Sequence, residues 1–403
     1  MSFHFDHHLL TRSSDPFPVL ADLRENAPVY YSPELKGWIL TRYADVKRCL
    51  RNSQYSVDRM QPFFDRLSES MSAQLHDLKT LIPLWLVFRD PPEHTRLRML
   101  MSPGFLPTIL TRFKPRIEEL VDQLIDDMLL KEEVDFIEDF ALPLPGYVIL
   151  DLLGVPRSDL PTLKSWSDDL QTFIGGAQSI TDKYVRAQRG TLQMAEYFRD
   201  AIARKRRVSD GDDLLTRLVN AKDANGQLSE DELISICILL LFGGHETTAN
   251  LLGNGFLALI KNPDQFALLR GRPELAGKAV EECLRYDGPG GATVRIVVED
   301  HDVGGHILKR GERVFAMVPA ANRDPAQFHE PDRFNIVRRD TQHLTFGQGI
   351  HFCLGAPLAR IEAIAALPRL VDRLQNVRLD ENLPVWRDSI VQRGMHSMPI
   401  RLA

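Results

Sequence analysis

Of the four cysteines in this chain, one stands where it could do chemistry. Cys353 falls near the end of Phe346-Gly347-Gln348-Gly349-Ile350-His351-Phe352-Cys353-Leu354-Gly355 and opens a segment in which Leu358, Ile361, Ile364 and Leu367 recur at helical spacing. A thiol at a helix N-terminus meets the positive end of the helix dipole and free backbone N–H groups, which favour the thiolate. The glycines permit backbone geometries closed to other residues and the close approach of a flat ligand. The result is a pre-ionised sulfur on a tight turn, suited to act as axial ligand to an iron. A buried structural cysteine beside a glycine-rich turn is the competing reading.

A second constellation lies in a long apolar stretch. Ser229-Glu230-Asp231-Glu232 has capping-box spacing, and the apolar run 233–242 that follows continues helix-compatible to about residue 260. In its middle sits Gly243-Gly244-His245-Glu246-Thr247-Thr248. Two glycines inside a helix cost about 1 kcal/mol each against alanine. Either they allow close packing with Glu246 turned to solvent, or they mark a widened helix with a groove beside an acid and an alcohol.

Weaker signals surround these two. Glu282 and Arg285 are three apart in an expected helix over 275–286 and can pair. His94 and Arg98 are four apart in Asp90-Pro-Pro-Glu-His94-Thr-Arg96-Leu-Arg98 and share a helix face, from which Arg96 points away.

The elements that must position these residues are mostly helical. The 3.6 period is clear over Phe17–Asn26, 44–51, 117–131 and 193–206, whereas 37–41 and the β-branched, turn-punctuated region 293–318 read as short strands. Pro357 is tolerated in the first turn after Cys353, but Pro368 should kink or end that helix near Leu367. With no repeat, low-complexity stretch or Gly/Ser linker, the simplest organisation is one domain over 1–403, mainly α with a small β-rich part.

Composition narrows the class. The chain has 403 residues, 44% of them hydrophobic, and a net charge of −6. Mild acidity gives no reason to expect nucleic acid or an anionic membrane as partner. Cys49, Cys237, Cys283 and Cys353 are widely spaced, which fits a reducing cytoplasm rather than a disulfide framework. The N-terminus is polar, without the apolar core of a signal peptide. The longest apolar runs, 82–88 and 236–242, fall short of the roughly 18 residues of a spanning helix. A cytoplasmic protein without a membrane anchor is expected.

The motif Phe-Gly-x-Gly-x-His-x-Cys-x-Gly over Phe346–Gly355, followed by Leu358-Ala359-Arg360, resembles the haem-binding signature of the cytochrome P450 family, and the resemblance extends over essentially the whole chain. It implies the cytochrome P450 fold, with haem b between the long central helix and the Cys-loop helix and Cys353 as axial thiolate. Phe346, Gly347, Gly355 and Gly243 would adjoin the haem, and His94, Arg98, Arg295 and His351 would meet its propionates. Gly-Gly-x-Glu246-Thr247 is similar to the family's acid–alcohol pair, in which Thr247 and Glu246 manage protons during dioxygen activation. Glu282, Arg285 and Arg333, the last in Pro331-Asp-Arg333-Phe334, would form the Glu–Arg–Arg network that holds the cysteine loop. Trp85, Leu86, Val87, Leu239, Gly291, Ala292 and Val294 would line the substrate pocket. Their apolar or small side chains imply an apolar molecule such as a terpenoid, fatty acid or polyketide.

The implied activity is a monooxygenase that inserts one atom of O2 into a C–H bond. Such an enzyme needs electrons. The remaining cysteines are too few and too dispersed for a ferredoxin-type cluster, and no Gly-x-Gly-x-x-Gly fingerprint appears. No fused reductase is therefore expected, and the resemblance implies a separate ferredoxin or flavodoxin with an NAD(P)H-dependent reductase, docking near Arg112, Lys114 and Arg116. The rival readings are a peroxide-using or rearranging enzyme of the same fold, and a haem sensor or carrier without turnover.

Overall fold

The computed structural model describes residue 10 and residues 13–175, 180–207, 211, 213–223, 226–381 and 384–402. The polar stretch before Leu10 lies outside them. Helix dominates, and the expected periods land where they were read. Phe17–Asn26 is a helix with those ends, 44–51 falls in Tyr43–Arg51, 117–131 overlaps a helix Lys114–Leu129 that stops two residues sooner, and 193–206 lies within the longer Lys183–Arg207. The chain divides into two compact units. One comprises Met1–Ser56, Phe113–Leu144 and Thr247–Ala403; the other comprises Val57–Arg112 and Pro145–Glu246.

The first unit is built on a five-stranded sheet. Its strands are β1 (Val29–Ser32), β2 (Gly37–Leu40), β3 (Tyr55–Ser56), β4 (Ala292–Val297) and β5 (Arg313–Met317), in the order β1-β2-β5-β4-β3. β2 and β5 run parallel, while the other pairs are antiparallel. The sheet is covered on one side by Phe17, Leu20 and Leu23, which join Ile39, Ala292, Val294 and Phe315 in one apolar cluster. The same unit packs helix Lys114–Leu129 against helix Ala356–Arg373, which follows Cys353. That helix does not end at Pro368. Leu367, Leu370 and Val371 are buried, and Arg369 and Arg373 reach Asp122 and Asp126 at 3.4 and 2.5 Å. Tertiary contacts on both sides of the proline outweigh its lost backbone hydrogen bond.

In the second unit, helices Leu160–Ile174 and Lys183–Arg207 lie against each other. Gly190 makes this possible, because a Cβ there would stand 2.4 Å from the Trp166 carbonyl oxygen. Asp169 then accepts from Arg186 and Arg189, at 2.9 and 2.5 Å.

One long helix, Glu230–Lys261, contributes its first half to the second unit and its second half to the first. It opens with the expected capping box: Glu232 N–H donates to Ser229 Oγ at 3.1 Å, and Ser229 N–H to the Glu232 carboxylate at 2.8 Å. By length and composition it could cross a membrane, yet 78% of its most apolar window is buried inside the protein.

Candidate active site

The cysteine loop is shaped by its glycines. Gly347 and Gly349 adopt φ of +73° and +71°, which side chains with a Cβ rarely occupy. A single 3-10 turn, Gly349–His351, then carries the chain to Cys353, whose N–H donates to the Phe346 carbonyl at 2.9 Å. Gly355 caps helix Ala356–Arg373, with Pro357 in its first turn. Cys353 is exposed, whereas Cys49, Cys237 and Cys283 are buried. Burial pushes their thiols up, Cys49 to about 12, so none of them offers a thiolate near neutral pH.

Behind the loop lie two charged clusters. Glu282 accepts two hydrogen bonds from Arg285, at 2.8 and 2.9 Å, deep in the core. The third cation is Arg338 and not Arg333. Arg338 Nε lies 3.1 Å from Glu282 Oε2 and its side chain is 7% exposed, while the Arg333 side chain is 62% exposed and meets Glu330. At position 333 the carbonyl turns inward, accepting from Arg285 and Arg338 at 3.2 and 3.0 Å. A turn closed by Arg338 N–H on the Asn335 carbonyl brings the second guanidinium back to the glutamate. The residue that joins the network by its side chain is therefore five positions later than the Pro-Asp-Arg-Phe motif suggests.

The second cluster was not anticipated. Glu281 accepts from Arg360 Nε at 2.6 Å and from His343 Nε2 at 3.1 Å. The Arg360 guanidinium lies 4.5 Å over the Phe346 ring. Burial alone would push the Glu281 carboxyl up, but the hydrogen bonds from His343 and Arg360 outweigh it and hold it down at about 2. Arg360, quoted above only as part of a motif, thus clamps the residue whose carbonyl anchors Cys353.

The long helix runs as an unbroken α-helix through Gly243-Gly244, so it is not widened there. Its two glycines serve different ends. A Cβ on Gly244 would stand 3.1 Å from Ile149 Cδ1, a packing constraint, whereas one on Gly243 would meet nothing within 4 Å. Leu239, Gly243 and Thr247 are partly exposed in a helix whose neighbouring positions are mostly buried. Spaced by four, they form one open stripe. Glu246 is off that stripe and fully buried. Its Oε1 lies 3.5 Å from Lys164 Nζ, and Lys164 also bonds Asp168 at 2.6 Å. Nothing in the sequence pointed to Lys164, because the pairing joins residues 82 positions apart.

His94 and Arg98 share a face of helix Glu93–Met101. Burial first, and the Arg98 charge second, hold the His94 imidazole below its ordinary range, so it is neutral at pH 7. Arg96 is engaged elsewhere, with Glu232 at 2.5 Å. In the first unit, Arg295 is buried on β4 and donates to the Val294 carbonyl at 3.1 Å, and His351 is half-buried in the 3-10 turn.

The expected pocket residues separate into two groups. Ala292 and Val294 belong to the core cluster over the sheet, and a Cβ on Gly291 would lie 2.2 Å from the Ile390 carbonyl. Gly291 also lines a small cavity with Met317 and Ile390. In the second unit, Trp85 and Leu86 are buried, Val87 is exposed, and Leu239 lies on the open stripe.

These residues fit an iron porphyrin. In the first unit the accessible Cys353 sulfur is a soft donor for iron and Arg295 a cation suited to a carboxylate; in the second, a Cβ on Gly243 would meet nothing within 4 Å and Arg98 is a further such cation.

A family model described as Cytochrome P450 matches residues 151–271 and 273–385. Cytochrome P450 107B1 of Saccharopolyspora erythraea is 40% identical over 91% of this chain and 89% of its own length. The 6-deoxyerythronolide B hydroxylase of the same organism is 36% identical over 96% of both chains. Among solved structures, P450BioI in complex with an acyl carrier protein carrying hexadec-9Z-enoic acid superposes with a TM-score of 0.89 at 35% identity, over 96% of this chain and 98% of that one.

Proposed function

This chain belongs to the cytochrome P450 family and is a haem-dependent monooxygenase, and on that premise we propose that Cys353 is its axial ligand and Thr247 its distal alcohol. The observation that carries the reading is the accessible Cys353 thiol on a turn only glycines can make, tied to the Phe346 carbonyl. When bound, haem supplies an iron that activates dioxygen once two electrons and two protons are delivered. The residues hold and feed it. The helix N-terminus at Gly355 favours the Cys353 thiolate, and Arg98, Arg295, His94 and His351 would hold the haem's propionates. Thr247, on the open stripe, offers a hydroxyl at the surface where oxygen and substrate lie. Glu246 is next to it in sequence but directed to Lys164, so it serves as the acid behind the alcohol.

The substrate is an apolar molecule of the polyketide or acyl class, a terpenoid being the third choice. The stripe Leu239-Gly243-Thr247 supports this, as do relatives whose names include 6-deoxyerythronolide B and a fatty acyl chain on a carrier protein. A carrier-bound substrate is therefore included. Electrons come from a separate ferredoxin or flavodoxin with an NAD(P)H-dependent reductase, approaching exposed cations such as Lys114 and Arg116. The enzyme works in the cytoplasm.

The test is the absorption spectrum of the reduced protein under carbon monoxide. A strongly red-shifted Soret band in the wild type, lost in Cys353→Ser, is expected. An ordinary haem–CO band would remove the thiolate and the mechanism with it. Turnover with hydrogen peroxide alone, at the rate seen with reductase and NAD(P)H, would favour the peroxide-using alternative.

A further inference from the structure

One carboxylate grips both ends of the loop that carries Cys353. Glu281, on helix Ala276–Asp287, accepts from Arg360 Nε at 2.6 Å, from Arg360 Nη2 at 3.0 Å and from His343 Nε2 at 3.1 Å. Arg360 stands seven residues after Cys353, and Phe346 seven before it. The two meet: the Arg360 guanidinium lies 4.5 Å over the Phe346 ring, which the His343 ring also approaches at 5.9 Å. Thr345 N–H donates to His343 Nδ1 at 3.2 Å, so Nε2 carries the proton that Glu281 receives. Thr345 Oγ1 donates in turn to the Leu284 carbonyl at 2.6 Å, further along the same helix. Folding does not require this much charge here. The Glu281 and Arg360 side chains are 24% and 30% exposed, and apolar residues of similar volume often hold such sites as firmly as an ion pair. What apolar residues cannot supply is direction. A planar guanidinium with two bonds to one carboxylate has a single orientation. Here that orientation places it on the ring of the residue whose carbonyl receives the Cys353 N–H at 2.9 Å.

We propose that Arg360 is a positioning residue for the axial sulfur: through the Phe346 ring it fixes the carbonyl that anchors Cys353, and thereby the reduction potential of the haem. The inference rests on the reading of Cys353 as the ligand. The potential of a ligated haem follows the hydrogen bonding around its axial ligand and the ligand's placement. A sulfur held in one place donates its charge fully and keeps the ferric form favoured. Were Phe346 free to tilt, Cys353 would drift, its donation would weaken and the ferrous form would gain. Glu281 and His343 act one step further back, by holding Arg360 and the start of the loop.

The test is a spectroelectrochemical titration of haem-loaded wild type, Arg360→Lys, Phe346→Leu and the double variant. Lysine keeps the charge but cannot make the paired bond to Glu281 or lie flat on the ring. Arg360→Lys is expected to favour the ferrous form about three- to tenfold at a fixed potential, an upward shift of about 30–60 mV at about 59 mV per tenfold. Its carbon monoxide complex should also show more of the ordinary haem–CO band beside the red-shifted one. In the Phe346→Leu background the same substitution should shift nothing further, because its route to the sulfur is gone. An unchanged potential in Arg360→Lys overturns the proposal. So does a full shift in the Phe346→Leu background, which would mean that Arg360 acts by its charge or by general stability. Should Arg360→Lys hold too little haem, Glu281→Asp takes its place in the same cycle, since it keeps both charges and displaces the clamp by one methylene. A wild type without the thiolate–CO band removes the underlying reading of Cys353 instead, whatever the potentials show.

Discussion

Lys164 Nζ lies 3.5 Å from Glu246 Oε1 and 2.6 Å from the Asp168 carboxylate, so one ammonium links a fully buried acid to one whose side chain is 41% exposed. The buried glutamate beside Thr247 is thereby connected to the protein surface through charged groups alone.

Removing the lysine should strand the Glu246 charge. Lys164→Met is expected to cost about 3 kcal/mol, since a buried charge without its partner is expensive. Glu246→Gln in the same background should recover most of the loss. A double-mutant cycle by chemical denaturation measures this coupling. Additive effects would show that the pair contributes nothing to holding Glu246.

For the distal alcohol, Thr247→Ala should retain haem and substrate binding while electrons go to hydrogen peroxide. The ratio of product formed to NAD(P)H consumed is the relevant measurement, and it should fall several-fold. An unchanged ratio would remove Thr247 from oxygen activation.

The Glu282 network separates two arginines that the sequence alone does not. Arg338→Ala should lower stability by about 3 kcal/mol and leave little haem-loaded protein, because Glu282 is buried. Arg333→Ala should change stability by no more than about 0.5 kcal/mol, since that side chain makes only an exposed pair. Haem content per polypeptide after expression is the simplest comparison.

Glu281 carries a pH signature. Its carboxyl is held at about 2 against an ordinary 4.5. A depressed carboxyl contributes stability that is complete above about pH 4.5 and drains away as pH falls toward 2. Wild type should exceed Glu281→Gln by on the order of 2 kcal/mol at neutral pH. The two curves should converge on acidification, which urea melts at several pH values would resolve.

Glu362 has the opposite sign. It lies in helix Ala356–Arg373, 2% exposed, its Oε2 without a hydrogen-bond partner among the described residues, and burial raises its carboxyl well above 4.5. The folded protein keeps a proton that the unfolded chain gives up, so stability falls as pH rises past about 4.5. Glu362→Gln removes that loss. Its melting temperature should exceed the wild type's at pH 7–8 and approach it near pH 4.

What the sequence made legible was local. The cysteine turn, the capping box at Ser229 and the helix ends at Phe17 and Asn26 depend on neighbours a few residues away, and periodicity and cap chemistry report those. What it missed was set by tertiary contact. Arg338 displaces Arg333 because of how one turn folds back, and Lys164 meets Glu246 through helix packing. The segment after Pro368 stays helical because Leu370 and Val371 are buried in the core, with Arg369 and Arg373 meeting Asp122 and Asp126 at its edge.

The parallel pairing of β2 with β5 sets a timetable for the growing chain. Gly37 lies opposite Arg313, and Arg24 donates to the Ala320 carbonyl at 2.9 Å. At roughly 5–20 residues per second, the ribosome delivers that partner strand on the order of 15–60 s after β2 emerges. Throughout that interval the β1–β2 hairpin presents an unpaired edge, the geometry most prone to pairing with another chain. A nascent polypeptide stopped before residue 313 would never close it, so this protein should depend on chaperone cover early in synthesis and tolerate C-terminal truncation poorly.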